Sequence, residues 1–219
     1  MRPDLTERLL RLGAAERELL KDLHQVRFAT RPAAEFLAQL DGASLAELQE
    51  SGLLREVATD RGDILYLGQT GVRAALALLG DELRSGAGPY AALRLRHELR
   101  RAELYIALRG HGMPSAAYMA EPRLDYRSAA GLGQRTLVPD ALVRRASGDA
   151  LLEVDRGTEG ALQLRHKWLR YREWQEEVGG RRLYVLADEP LRIAASLGEA
   201  GLDATVLGEP DAIARQVWP

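Results

Sequence analysis

Four side chains in one stretch are of types that do chemistry together. "LVPDALVRRASGDALLEVDRGTEGALQLRHKWLRY", residues 137–171, holds Asp140, Glu153, Asp155 and Lys167. Carboxylates crowded on one surface repel unless a cation sits among them. Oxygen donors of this kind suit Mg²⁺ or Mn²⁺. Such an ion polarises a phosphoryl oxygen and makes a bound water more acidic. A neighbouring ammonium steadies the negative charge that develops. The expected metal ligands are Asp140, Glu153 and Asp155, with Lys167 beside them.

Convergence depends on strand geometry. "TLVPDALV" and "ALLEVD" flank "RRASGD", whose Ser-Gly-Asp suits a tight turn. Glu153 and Asp155 are two apart and share a face of their strand. A turn centred on Ser147-Gly148 sets Asp140 opposite Asp155 and diagonal to Glu153, with all three acids on one face. A shift of half a step sends Asp140 to the other face. Pro139, without an N–H, fits a strand edge or break.

The next segment, "RGTEGALQLRHKWLRYREWQEEVGG", reads as a helix with Thr158 as N-cap. Glu159, Gln163, Lys167 and Tyr171 recur every fourth residue and form one polar stripe. Gln163 and Tyr171 are candidates to hydrogen-bond phosphates. A hairpin with a charged outer face, followed by a helix with a solvated stripe, gives the same pattern without any chemistry. Trp168 and Trp174 read as core, and His166 as a surface residue.

The composition narrows the alternatives. The 219 residues are 46% hydrophobic and 28% charged, as in a folded globular protein, and cysteine is absent. Thiol catalysis, disulfides and thiolate metal sites are therefore excluded. No apolar run reaches the roughly 20 residues that span a bilayer, and the first residues lack an apolar signal core, so a cytoplasmic protein without a membrane partner is expected. All but Lys21 and Lys167 of the 30 basic residues are arginine. A lysine kept in such a chain fits a need for a compact ammonium. Charge is uneven: residues 91–135 carry eight basic and four acidic side chains, and both flanks are acidic. Arg94, Arg96, Arg100 and Arg101 in this basic segment are the candidates for nucleic-acid phosphates, with Tyr171 as a further contact.

The elements that must position these residues fall into two groups. Residues 1–83 read as helices, "AERELLKDLHQV", "TRPAAEFLAQL" and "ASLAELQESGLL", then a hairpin around "TDRGD" and a further helix. Three helices before a hairpin is the order of a winged helix-turn-helix. Ser44 is the expected N-cap of the third helix and Gly52 its stop. That helix offers only Gln49 for base edges, so a protein contact or a homodimer through this unit is an equal expectation. Residues 84–90, "RSGAGPY", read as a linker. In 91–219 a long helix, "AALRLRHELRRAELYIALRGHG", puts Leu95, Leu99, Ala102, Tyr105 and Ile106 on one stripe, with Glu98 and Arg101 elsewhere. Strands and helices then alternate to the end. The expected class is α/β (α+β), with a mixed sheet flanked by helices after the N-terminal unit.

Pro-Asp, then Glu-x-Asp, then a helix with lysine resembles the PD-(D/E)XK nuclease superfamily. "PDALV", "LLEVDRGTEG", "HKWLRY" and "RRLYVLAD" resemble the replication-relaxation family of plasmid and mobile-element proteins, most strongly over 137–186. The resemblance implies a winged helix followed by a restriction-endonuclease-like sheet, and a DNA partner. It also implies a Mg²⁺- or Mn²⁺-dependent nuclease or nickase, or an inactive DNA-binding regulator or replication accessory protein. "AEPRL" resembles the family's Glu-containing strand, which makes Glu121 a further catalytic candidate. Gln163 resembles a helical Gln of exonuclease-like members. The superfamily most often has lysine two residues after the Glu. Asp155 stands there, and Lys167 supplies an amine from the helix.

Overall fold

A computed structural model describes residues 5–59, 62–79, 92–128, 133–179 and 181–219. The linker expected at 84–90 and the side chain of Arg94 lie outside them. The chain divides into two compact units, Met1–Ile106 and Ala107–Pro219. The division falls inside one long helix.

The first unit runs α1 (Leu5–Arg11), α2 (Ala14–Val26), β1 (Phe28–Thr30), α3 (Arg31–Ala38), α4 (Gly42–Glu50), β2 (Leu54–Thr59), β3 (Gly62–Leu67) and α5 (Gln69–Leu79). The start of α6 (Ala92–Gly110) completes it. β1, β3 and β2 form an antiparallel sheet in that order. Thr30 caps α3, its hydroxyl accepting from the Ala33 N–H, with proline in the first turn. The cap of α4 is Asp41 rather than Ser44, because the Asp41 carboxylate accepts from the Ser44 N–H at 2.9 Å and starts the helix three residues earlier. Leu19, Leu20, Leu23 and Val26 of α2 are fully buried, so its apolar stripe is the centre of this core. Gly71 sits on the Leu53 carbonyl so closely that an added Cβ would lie 2.0 Å from that oxygen.

The α6 stripe is broader than expected. Leu99, Ala102 and Tyr105 are buried, but so are Glu98 and Arg101. Their burial is met by pairing: Arg101 Nη2 lies 2.6 Å and Arg27 Nη1 3.1 Å from the Glu98 carboxylate, and the Tyr105 hydroxyl donates to Asp22.

The second unit adds β4 (Tyr118–Ala120), β5 (Leu124–Arg127), β6 (Gln134–Leu137), β7 (Ala141–Val143), β8 (Ala150–Asp155), α7 (Ala161–Val178), β9 (Arg182–Ala187), α8 (Pro190–Glu199), β10 (Ala204–Leu207) and α9 (Pro210–Val217). The main sheet has the order β10-β9-β8-β7-β4. β4, β7 and β8 pair antiparallel, whereas β8, β9 and β10 run parallel with α7 and α8 as crossovers. β5 and β6 form a separate two-stranded ribbon. Pro122 separates β4 from β5 and Pro139 separates β6 from β7, because the missing N–H interrupts the ladder. Tyr126 and Leu137 of the ribbon, Leu142, Leu151, Leu183 and Val185 of the main sheet, and Leu164, Trp168, Tyr171, Trp174, Ile193 and Leu197 of the two crossover helices form one core.

Candidate functional site

Every residue of β8 is buried, Glu153 at 4% and Asp155 at 3% exposure. Both share a face with Leu151, which belongs to the core under α7 and α8. The acids therefore do not decorate an outer face. They lie at the end of a central strand, beneath a helix.

The hairpin register differs by two from the expected one. Ala141 pairs with Leu152, and Leu142 with Leu151, so Asp140 stands level with Glu153 rather than Asp155. The turn centres on Ala146-Ser147: the Gly148 N–H donates to the Arg145 carbonyl, and Gly148 takes φ 103° to end it. A shift of two keeps parity, and Asp140 stays on the face of Glu153. Its Oδ2 accepts the Val154 N–H at 2.7 Å, which ties the chain entering β7 to β8. On the other side, Ala120 pairs with Ala141, and the Glu121 N–H donates to the Asp140 carbonyl at 3.0 Å. Glu121, Asp140 and Glu153 thus follow one another across β4, β7 and β8. Glu121 has φ 44°, an unusual conformation for a residue with a side chain.

α7 starts at Ala161 with Gly160 as N-cap, not at Thr158. The Gln163 side chain accepts the Gly160 N–H and stays exposed at the helix start. The stripe then divides. Lys167 and Tyr171 turn under the helix toward Glu153: Lys167 Nζ lies 2.9 Å from Oε2, and the Tyr171 hydroxyl donates to Oε1. Glu159 Oε1 stands 3.8 Å from the same ammonium. Tyr171 is 1% exposed, so its hydroxyl serves Glu153 and not the surface.

Electrostatics follow from this enclosure. Burial pushes the Glu153 carboxyl up, Lys167 opposes it and the Asp140 charge adds to it, leaving the group at about 7. For Lys167, burial works against the charge, but Glu153, Asp140 and Glu159 outweigh it and hold the ammonium above the ordinary lysine range. Burial and the facing carboxylate push the Tyr171 phenol well above its usual value.

Asp155 does not join the cluster in the expected way. Its Oδ1 accepts the Gly157 N–H at 2.7 Å, an Asx turn that leads the chain off the sheet. No group of three or more His, Asp or Glu side chains among the described residues is arranged to hold a metal ion. The donor chemistry fits a smaller set. Asp140 and Glu153 are hard oxygen donors level on one face, and Mg²⁺ commonly takes one or two carboxylates and keeps its waters.

Sequence reasoning missed Arg192, on α8. Its guanidinium donates to the Gly157 carbonyl at 2.9 Å and to the Glu159 carbonyl, and lies 3.1 Å from Glu189. It straps the loop that joins β8 to α7. Only the tertiary fold brings α8 to that loop, so no local pattern signals it. Among the α6 candidates, Arg101 is buried on Glu98, Arg100 pairs with Glu103 at 2.8 Å, and Arg96 is exposed.

Compared with known proteins, the chain matches the family model described as Replication-relaxation over residues 10–182. No curated protein and no solved structure matches it.

Proposed function

The chain belongs to the replication-relaxation family, and from that premise we propose that it processes plasmid or mobile-element DNA, with the second unit acting as a Mg²⁺- or Mn²⁺-dependent nuclease or nickase. The observation that carries this reading is the buried Glu153, level with Asp140 on the adjacent strand and 2.9 Å from Lys167. The helix, the three antiparallel strands and the crossover to a parallel strand support a restriction-endonuclease-like sheet. The helix order and sheet of the first unit support a winged helix.

Asp140 and Glu153 would hold the ion, which when bound supplies Lewis-acid polarisation of a phosphodiester. Tyr171 orients the Glu153 carboxylate. Lys167 keeps its charge at neutral pH and steadies negative charge developing on the phosphate. Glu121, next in line across the sheet, is the nearest further acid by register. The test is incubation of supercoiled, linear and branched DNA with Mn²⁺. Cleavage by the full chain that is lost in Glu153→Gln and Asp140→Asn is the expected result. No cleavage of any substrate removes the enzyme reading.

One observation favours a second reading, a non-catalytic DNA-binding regulator or replication accessory protein. Both Glu153 oxygens and Asp140 Oδ2 already have donors within the protein. DNA binding that persists in chelator and survives Glu153→Gln is the signature of this role. In either case α4 of the first unit does not offer Gln49 for base reading, because Gln49 is bound to Glu56 at 2.9 Å and to Arg31 at 3.1 Å. A homodimer through this unit belongs to the same proposal and is checked by sedimentation.

A further inference from the structure

The outer side of α7 carries its charges in an order that does not serve the helix. Arg165, His166 and Arg170 are exposed in its first half, turned away from the buried Leu164, Trp168, Tyr171 and Trp174. Glu176 and Glu177 are exposed at its end. A helix dipole favours acids in the first turn and bases in the last. α7 has neither: no acid in its first turn and no base in its last.

The two arginines and the histidine are also unspent. None of them pairs with a carboxylate among the described residues. Among the described residues Arg170 donates only to the Thr136 carbonyl of the ribbon, and Arg165 and His166 have no partner. The same separation holds across the whole unit. Residues 121–172 carry ten basic and seven acidic side chains, whereas 173–219 carry four and nine. Positive charge gathers on the part of the chain that holds Glu153 and Lys167. Negative charge gathers at the end of α7 and along the segments between the later elements, with Glu176, Glu177, Asp188, Asp203 and Glu209.

We propose that the outer face of the first half of α7, through Arg165, His166 and Arg170, is a contact for the phosphate backbone of DNA. This rests on the DNA-processing reading above and adds the surface on which the strand lies. A polyanion needs exposed, unpaired cations and no competing acids. Of the α6 arginines, Arg101 is buried and Arg100 is neutralised. The first half of α7 meets both conditions on the helix that delivers Lys167, with the buried cluster on the opposite side of that helix.

The test is binding of a labelled DNA duplex to the full chain, followed by fluorescence anisotropy across a salt series. Arg165→Ala/Arg170→Ala should weaken binding about tenfold and flatten the salt dependence by about one unit of slope per cation removed. Arg165→Glu alone, at a side chain without partners, should weaken binding with an unchanged circular dichroism spectrum. Arg170→Lys, which keeps the charge and loses the planar fork, should stay near the parent. Arg96→Ala/Arg100→Ala is the comparison. Unchanged binding in the α7 variants, with loss in the α6 pair, overturns the inference and leaves the DNA reading standing. No DNA binding by the parent at low salt overturns both.

Discussion

Lys167 sits between three carboxylates and is the charge that makes burial of Glu153 tolerable. Replacing it by Met leaves a buried carboxylate facing Asp140 without a cation, and breaking such a pair costs about 3 kcal/mol. We expect urea denaturation of Lys167→Met at about pH 8 to show a loss of that size, shrinking as the pH falls and Glu153 takes up a proton. Glu153 also has a pH signature of its own. Its folded value of about 7 lies above the ordinary 4.5, so between the two the native state holds the proton more tightly than the unfolded chain. Stability from this group is therefore greatest below the lower value and falls as pH rises toward the upper one, at a slope of at most about 1.4 kcal/mol per pH unit. Subtracting the profile of Glu153→Gln from that of the parent should isolate this decline, and a flat difference refutes the assignment. Asp140 is structural as well: Asp140→Ala orphans the Val154 N–H and should cost about 1–3 kcal/mol, while Asp140→Asn keeps an acceptor and most of the stability.

Elements were legible wherever a local rule acts alone. The Thr30 cap, the α2 stripe and the buried tryptophans of α7 follow from spacing and side-chain chemistry, and the structure has each in place. Parity put Asp140, Glu153 and Asp155 on one face, and parity survived the shift in register. Which face a helix covers is not in the strand, so the acids read as either solvated or functional until α7 was seen to lie over them. The α6 stripe failed for a related reason. Glu98 and Arg101 neutralise one another, and a pair buries where neither alone would. Close approaches between elements are equally invisible. Gly71→Ala would drive a methyl into the Leu53 carbonyl and push α5 off the start of β2, an overpacking worth about 3 kcal/mol that thermal unfolding would detect. Gly148→Ala meets no atom and should cost only about 1 kcal/mol, through its φ of 103°.

The net charge of −2 says little about the whole molecule, because the charges are sorted along the chain. Binding to DNA driven by local cations against an overall acidic background should weaken steeply with salt. A duplex affinity that holds constant from low to physiological salt argues against a backbone-directed mode. No helix among the described residues is long and apolar enough to cross a membrane. The Arg192 strap has a consequence in time rather than in energy. With the carbonyls of Gly157 and Glu159 held from α8, opening the β8–α7 loop would require both Arg192 hydrogen bonds to break. If the second unit processes DNA as proposed, a strand arriving at Glu153 would meet a doorway that is already set, and any waiting step would belong to the nucleic acid.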